Sequence, residues 1–231
     1  MIAMHNFSSR EQLDLRFAEQ VAQLLSNAIS EKGSASIAVS GGSTPKGFFE
    51  ALSKKSLAWD KVTITLADER WVDEASDASN TRLVKDNLLQ NNAKDAQFFA
   101  LKVAANLDEQ TLAQLNKTAS EQVLPFDVLI LGMGEDGHTA SLFPCSNEIK
   151  QALSLDNSDA LMSVQPQSAP HQRITFTLSA LLKSTAIFLH ICGENKQQVL
   201  DKAIASDDVL VMPIRAFLHA TNVTTEVMFA Q

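Results

Sequence analysis

Apolar runs of strand length alternate with helical periods from one end of this 231-residue chain to the other, and that alternation restricts the fold more than any other feature. Strands are expected at residues 36–40, 62–67, 126–131 and 185–192, with Phe126-Asp127-Val128-Leu129-Ile130-Leu131 the strongest of them. Shorter strands at 160–165 and 173–177 flank the loop 166–170, and a last strand covers 223–229. Ser8 followed by Glu11 reads as a capping box opening a long helix with Phe17, Val21, Leu24, Leu25 and Ala28 on one face. Pro45 marks the first turn of a helix running to about Leu52, and further helical periods cover 80–89, 107–123 and 195–203. Strands that alternate with helices imply an α/β chain: a single three-layer α/β/α domain over residues 1–231, with a mostly parallel sheet covered on both faces. No internal repeat, low-complexity tract or Pro/Gly/Ser linker divides it.

Composition bounds the function. With 45% hydrophobic and 20% charged residues there is material for a packed core, which excludes a disordered or collagen-like chain. No apolar run approaches the ~20 residues of a membrane helix, and the first residues lack the charged and apolar regions of a signal peptide. Cys145 and Cys192 form neither a disulfide framework nor a zinc pattern, so a reducing cytoplasm is expected. The 19 basic and 27 acidic residues give a net charge of -8, which offers no field for nucleic acid. An anionic ligand must therefore be held locally, by backbone amides and a few individual Arg or Lys side chains.

Ligands of open α/β sheets bind beyond the carboxyl ends of the strands, so the segments found there carry the chemistry. Ser40-Gly41-Gly42-Ser43-Thr44-Pro45 runs from strand into helix; its glycines let the backbone approach an anion at a helix N-terminus. A tight turn capped by Thr44 is the competing reading, and the spacing is not that of a P-loop. In Ala67-Asp68-Glu69-Arg70-Trp71, Arg70 could clamp a phosphate and Asp68 bond a sugar hydroxyl. A solvated loop in which a carboxylate merely pairs with Arg70 would look the same.

Gly132-Met133-Gly134-Glu135-Asp136-Gly137-His138 matches GxGxxG, but Pro144 cuts short the helix that a dinucleotide fingerprint needs. The better reading is a loop presenting Asp136 and His138 together, an imidazole able to act as base and then acid with a carboxylate to orient it. Arg173 and Lys196 complete the candidates; a lysine in the first turn of a helix opposes the dipole, which an anion between the two would explain. His5, His171, His190 and His219 show no metal spacing, and His190 reads as packed core. No GxSxG elbow is present, and neither a metal nor a cofactor is expected.

The ordered set SGGSTPKGFFEAL, ADERWV with SNTRLVKDNLL, FDVLILGMGEDGHTASLFP, RITFTLSALL and GENKQQVL resembles the 6-phosphogluconolactonase family, within a wider group of glucosamine-6-phosphate deaminase-like enzymes. The resemblance spans residues 40–200. It implies hydrolysis of 6-phospho-D-glucono-1,5-lactone in the oxidative pentose phosphate pathway and the three-layer fold shared with ribose-5-phosphate isomerase and CoA transferases. It implies phosphate binding by Gly41, Gly42, Ser43, Arg70 and Lys196, a less defined contact for Arg173, and catalysis by His138 supported by Asp136 or Asp68. The sole partner implied is a small sugar-phosphate lactone, for a monomer or small homo-oligomer. In the deaminase branch a Glu usually follows the loop His by five positions; here that position is Phe143, which favours the lactonase. A non-catalytic sugar-phosphate sensor is the alternative from another class.

Overall fold

The computed structural model describes residues 1–231. The first half of the chain forms β1 (Ile2–Phe7), α1 (Arg10–Lys32), β2 (Ala35–Val39), α2 (Lys46–Ser53), β3 (Val62–Leu66), β4 (Asp68–Arg70), α3 (Asn80–Asn87), β5 (Gln97–Phe99) and α4 (Glu109–Gln122). The second half forms β6 (Val128–Leu131), α5 (Ile149–Ala152), β7 (Leu161–Val164), β8 (Arg173–Phe176), α6 (Leu178–Leu181), β9 (Ala186–Cys192), α7 (Glu194–Ile204), α8 (Arg215–Leu218) and β10 (Thr225–Ala230).

Seven strands form one sheet in the order β1-β10-β9-β6-β2-β3-β5, every neighbouring pair parallel. Helices cover both of its faces, giving three layers. Every residue of β2 and β6 is buried, as central strands flanked by two layers must be. Phe17 of α1 stacks on Phe48 of α2 at 4.5 Å and meets Phe188 of β9 at 5.0 Å, locking two helices to the sheet centre. Each such ring contributes roughly 1.5–3 kcal/mol when fully buried.

The chain runs from β2 to β3 to β5 in one direction, then returns to place β6 on the other side of β2. That reversal is the topological switch point, where loops diverge and leave a crevice. In consequence β9, β6, β2 and β3 are consecutive neighbours, and their carboxyl ends open side by side.

Several expectations shift. The helix cap is Ser9, not Ser8: its side chain accepts from the Gln12 amide at 3.2 Å, and Gln12 Oε1 returns to the Ser8 amide at 3.0 Å. Gln12 can close the box as well as Glu11, which moves it by one residue. Pro45 takes the cap position of α2 rather than its first turn. Edge strand β1 pairs parallel with β10, although its half-exposed sequence carries no clear period. The segment read as a charged loop is strand β4, which forms with β8 and β7 a separate antiparallel sheet of three strands.

Candidate active site

The loop after β6 folds back on itself without starting a helix. The Gly134 amide donates to the His138 carbonyl at 2.8 Å, and the Thr139 hydroxyl donates to the Gly132 carbonyl at 2.8 Å. A side chain at Gly134 would collide with the His138 imidazole, so this glycine serves the ring rather than a dinucleotide. Inside the loop, Asp136 Oδ1 lies 2.5 Å from His138 Nδ1 and accepts the His138 backbone amide at 3.1 Å. Burial raises the Asp136 carboxyl, but the hydrogen bond and charge of His138 outweigh it and hold the group below the usual carboxylate range. An ionised Asp136 accepts from Nδ1–H, which leaves the Nε2 lone pair free to accept a proton.

Across the crevice, the loop after β2 turns at Gly42, whose φ is +97°. Gly41 lies so close to the Asn80 side-chain amide that no Cβ fits between them. Asn80 opens α3, and its Nδ2 donates to the Asp68 carbonyl at 2.9 Å. Glu69, buried, accepts from the amides of Asn80 at 2.9 Å and Thr81 at 2.7 Å, so it caps α3 rather than facing solvent.

Arg70 and Arg173 are direct partners in the β4–β8 register. Like charges placed opposite on one face repel, and both Nε atoms are buried without a partner. Arg70 Nη1 donates to the Ala78 carbonyl at 2.7 Å; Arg173 Nη1 lies 3.8 Å from Asp68 Oδ2, itself bonded to the buried Ser141 hydroxyl. Burial pushes the Arg173 guanidinium below its ordinary value, Asp68 opposes that, and Arg70 adds to it; at neutral pH the group stays charged. Two crowded, under-bonded guanidinia make a site for an anion.

The crevice divides into two adjoining cavities that share Ser40, Gly41, Gly42, Gly132 and Met133. One, of about 240 Å³, is closed by Ser43 and Lys196; the other, of about 180 Å³, is closed by Asp68, Arg70, Arg173 and His138. Lys196 lines the first cavity and Arg173 the second, with the Gly41-Gly42 floor common to both. Asp136 stands behind His138, while Asp68 is held by Ser141 and Arg173. Asn80 and Thr139 also line the second cavity; neither carries a local sequence signal, because only the fold brings them there. No group of three or more His, Cys, Asp or Glu side chains converges on a metal position, and no helix is long and apolar enough to cross a membrane.

His190 is packed core as expected, yet it also borders the first cavity, with neither ring nitrogen partnered. Burial lowers its pKa to about 4; burial likewise raises Asp14, 3.9 Å away, to about 6, against the pull of Arg10. The unfolded chain, with an imidazole near ~6.5, binds more protons than the native one between about pH 4 and 6.5, so this histidine costs stability as pH falls through that window. Asp14 acts with the opposite sign. His190→Phe, which suits the adjacent Phe17 and Phe48 rings, removes only the histidine's part. Urea unfolding should show the variant gaining about 2 kcal/mol on the wild type between pH 7.5 and pH 5. A gain independent of pH would refute the assignment.

The model of a family described as glucosamine-6-phosphate isomerases/6-phosphogluconolactonase matches residues 8–227. A 6-phosphogluconolactonase of Rhizobium meliloti is 42% identical over 227 residues, covering 98% of this chain and 98% of its own. The crystal structure of a 6-phosphogluconolactonase from Shewanella baltica has a TM-score of 0.96 at 43% identity, over 100% of this chain and 98% of that one. A monomeric glucosamine-6-phosphate deaminase reaches a TM-score of 0.78 at 19% identity, over 97% of this chain and 96% of that one. That likeness is one of fold alone, so the choice between the two chemistries has to be made on side chains.

Proposed function

Because the chain belongs to the glucosamine-6-phosphate isomerase/6-phosphogluconolactonase family, we propose that it hydrolyses 6-phospho-D-glucono-1,5-lactone to 6-phospho-D-gluconate, as a carboxylic ester hydrolase of the oxidative pentose phosphate pathway. One observation carries this reading: His138, backed by Asp136, opens onto the same cavity as Arg70 and Arg173, beside the Gly41-Gly42 floor. Phosphate sits on that floor, bonded by the amides and hydroxyl of Gly41, Gly42 and Ser43, with Lys196 on one side and Arg70 on the other. Arg173 reaches toward the lactone end. Residues 1–231 act as one unit, supported by a single cluster of 58 buried residues extending from Leu13 to Ala230. The enzyme works in the cytoplasm as a monomer or small homo-oligomer.

In the reaction, His138 Nε2 takes a proton from water as the water oxygen attacks the lactone carbonyl carbon. The oxyanion forms within reach of the Arg173 guanidinium. As the bond from the carbonyl carbon to the ring oxygen breaks, the imidazolium returns its proton to that oxygen. General acid-base catalysis contributes typically ~10²–10⁴-fold, and each oxyanion donor ~10²–10³-fold. Holding the phosphate converts remote binding energy into alignment of the carbonyl with the base.

An aromatic Phe143 beside His138 supplies no carboxylate for sugar ring opening, which favours lactone over amino-sugar chemistry. A coupled assay on freshly made lactone, run in parallel with glucosamine 6-phosphate, tests the reading. Turnover of the lactone alone is expected; binding of 6-phosphogluconate without turnover of either would make the protein a sensor. In the same assay Lys196→Ala should raise KM by about 10- to 100-fold, the loss of one charge-assisted phosphate contact, with kcat nearly unchanged. A kcat loss of the same size would move Lys196 to the reacting end.

A further inference from the structure

Phe143 is buried, at 3% exposure, yet it stands outside the hydrophobic cluster to which nearly every other buried apolar side chain belongs. The core therefore does not account for its burial. Its ring instead lies against two polar groups of the site. The His138 imidazole stacks on it, with centroids 4.0 Å apart and planes 21° from parallel. The Arg173 guanidinium carbon lies 5.0 Å from the same ring centroid.

The backbone is shaped to place the ring there. Ala140 adopts φ +47°, in the left-handed region, and Thr139 pairs with Leu142 across the resulting turn. The chain thereby doubles back within five residues of His138. Downstream, the Phe143 carbonyl accepts from the Ser146 amide and the Ser146 hydroxyl, each at 3.1 Å, which anchors the turn.

We propose that Phe143 is a positioning residue: its face fixes the plane of the His138 imidazole and ties that ring to the Arg173 guanidinium. This rests on the reading of His138 as the base. The geometric need is specific. The contact from Asp136 to Nδ1 holds one corner of the imidazole but leaves the ring free to swing about that corner. A flat face stacked at 4.0 Å removes the swing and fixes the direction of the Nε2 lone pair. A misplacement on the order of 1 Å at a reacting centre can cost about 10²-fold in rate, so a wandering base is expensive. Because the guanidinium touches the same ring, base and cation keep a constant separation when the loop moves. An aliphatic side chain would fill the volume without offering either group a plane to lie on.

The test compares Phe143→Leu, which keeps bulk and loses the face, with Phe143→Tyr, which keeps the face. Phe143→Leu should lower kcat by about 10- to 30-fold with KM within about threefold of wild type, at a temperature where thermal melting shows both proteins folded. Phe143→Tyr should restore kcat to within about threefold of wild type. In NMR spectra the His138 ring protons should carry an upfield ring-current displacement in the wild type and in Phe143→Tyr, and lose it in Phe143→Leu. A lowered melting temperature with wild-type kcat in Phe143→Leu would overturn the inference, as would equal kcat losses in Leu and Tyr. Should Phe143→Leu not fold, Phe143→Met makes the same comparison. A His138→Ala control separates the two levels: if that variant keeps full activity, the base is misassigned. If it is inactive while Phe143→Leu is not, only the positioning role fails.

Discussion

Replacing His138 with alanine is expected to lower kcat on 6-phospho-D-glucono-1,5-lactone by about 10³–10⁴-fold, with KM within about threefold of wild type. The magnitude follows from the imidazole's two successive roles, as acceptor of the water proton and donor to the departing ring oxygen. The KM expectation follows from the position of the side chain: Ser43 and Lys196 stand in the adjoining cavity, and Arg70, which shares the cavity of His138, is held by the Ala78 carbonyl and not by the imidazole. Removing the imidazole therefore leaves the phosphate contacts in place. Nor is folding at risk, since the His138 side chain is 29% exposed and takes no part in the hydrophobic cluster. Initial rates on fresh lactone, corrected for uncatalysed hydrolysis, give the answer directly. A variant with wild-type kcat would remove His138 from the chemistry altogether.

The second large effect is expected at Asp136. In Asp136→Asn the Nδ1 partner keeps its shape but loses its charge, and its amide can donate to Nδ1 instead of accepting from it. The imidazole then adopts the tautomer with hydrogen on Nε2, which cannot take a proton from water. Loss of about 10²–10⁴-fold in kcat is the expected outcome, measured alongside Asp68→Asn. The Asp68 carboxylate is occupied by the Ser141 hydroxyl and lies 3.8 Å from the Arg173 guanidinium, so its neutralisation should act only indirectly, through Arg173, and cost less in kcat than Asp136→Asn does. Equal kcat losses in the two variants would mean that orientation of the base is shared, and a larger loss at Asp68 would reverse the assignment. The comparison settles the question that residue types alone left open, since both aspartates follow a strand end and precede a cation or imidazole in sequence.

Part of the candidate site was legible because one of its pairs is local. Asp136 and His138 are two positions apart in a glycine-rich loop, so short-range geometry alone brings their side chains within reach. Ser40 to Ser43 was legible for a similar reason: a strand, two glycines and a helix leave few ways for the backbone to turn. The glycine triplet in the β6 loop could be rejected as a dinucleotide fingerprint from Pro144 alone, and no helix starts there. By contrast Asp68-Glu69-Arg70 reads as a charged loop because strand propensity penalises such residues. Its burial depends on pairing with β8 and on Glu69 capping α3, both contacts with segments far along the chain. The one-residue shift from Ser8 to Ser9 has a local origin, two adjacent serines competing for one cap.

Local periodicity and turn chemistry, then, determined the alternation of strands and helices, the residues that end each strand, and the pairing of an imidazole with its carboxylate. Tertiary structure alone decided the strand order that sets the ends of β9, β6, β2 and β3 side by side, the register that opposes Arg70 to Arg173, and the seating of Phe143 on His138. The division has a physical cause. A hydrophobic period records which face of an element is buried, but not which neighbour buries it; order and register are settled by packing between segments distant in sequence.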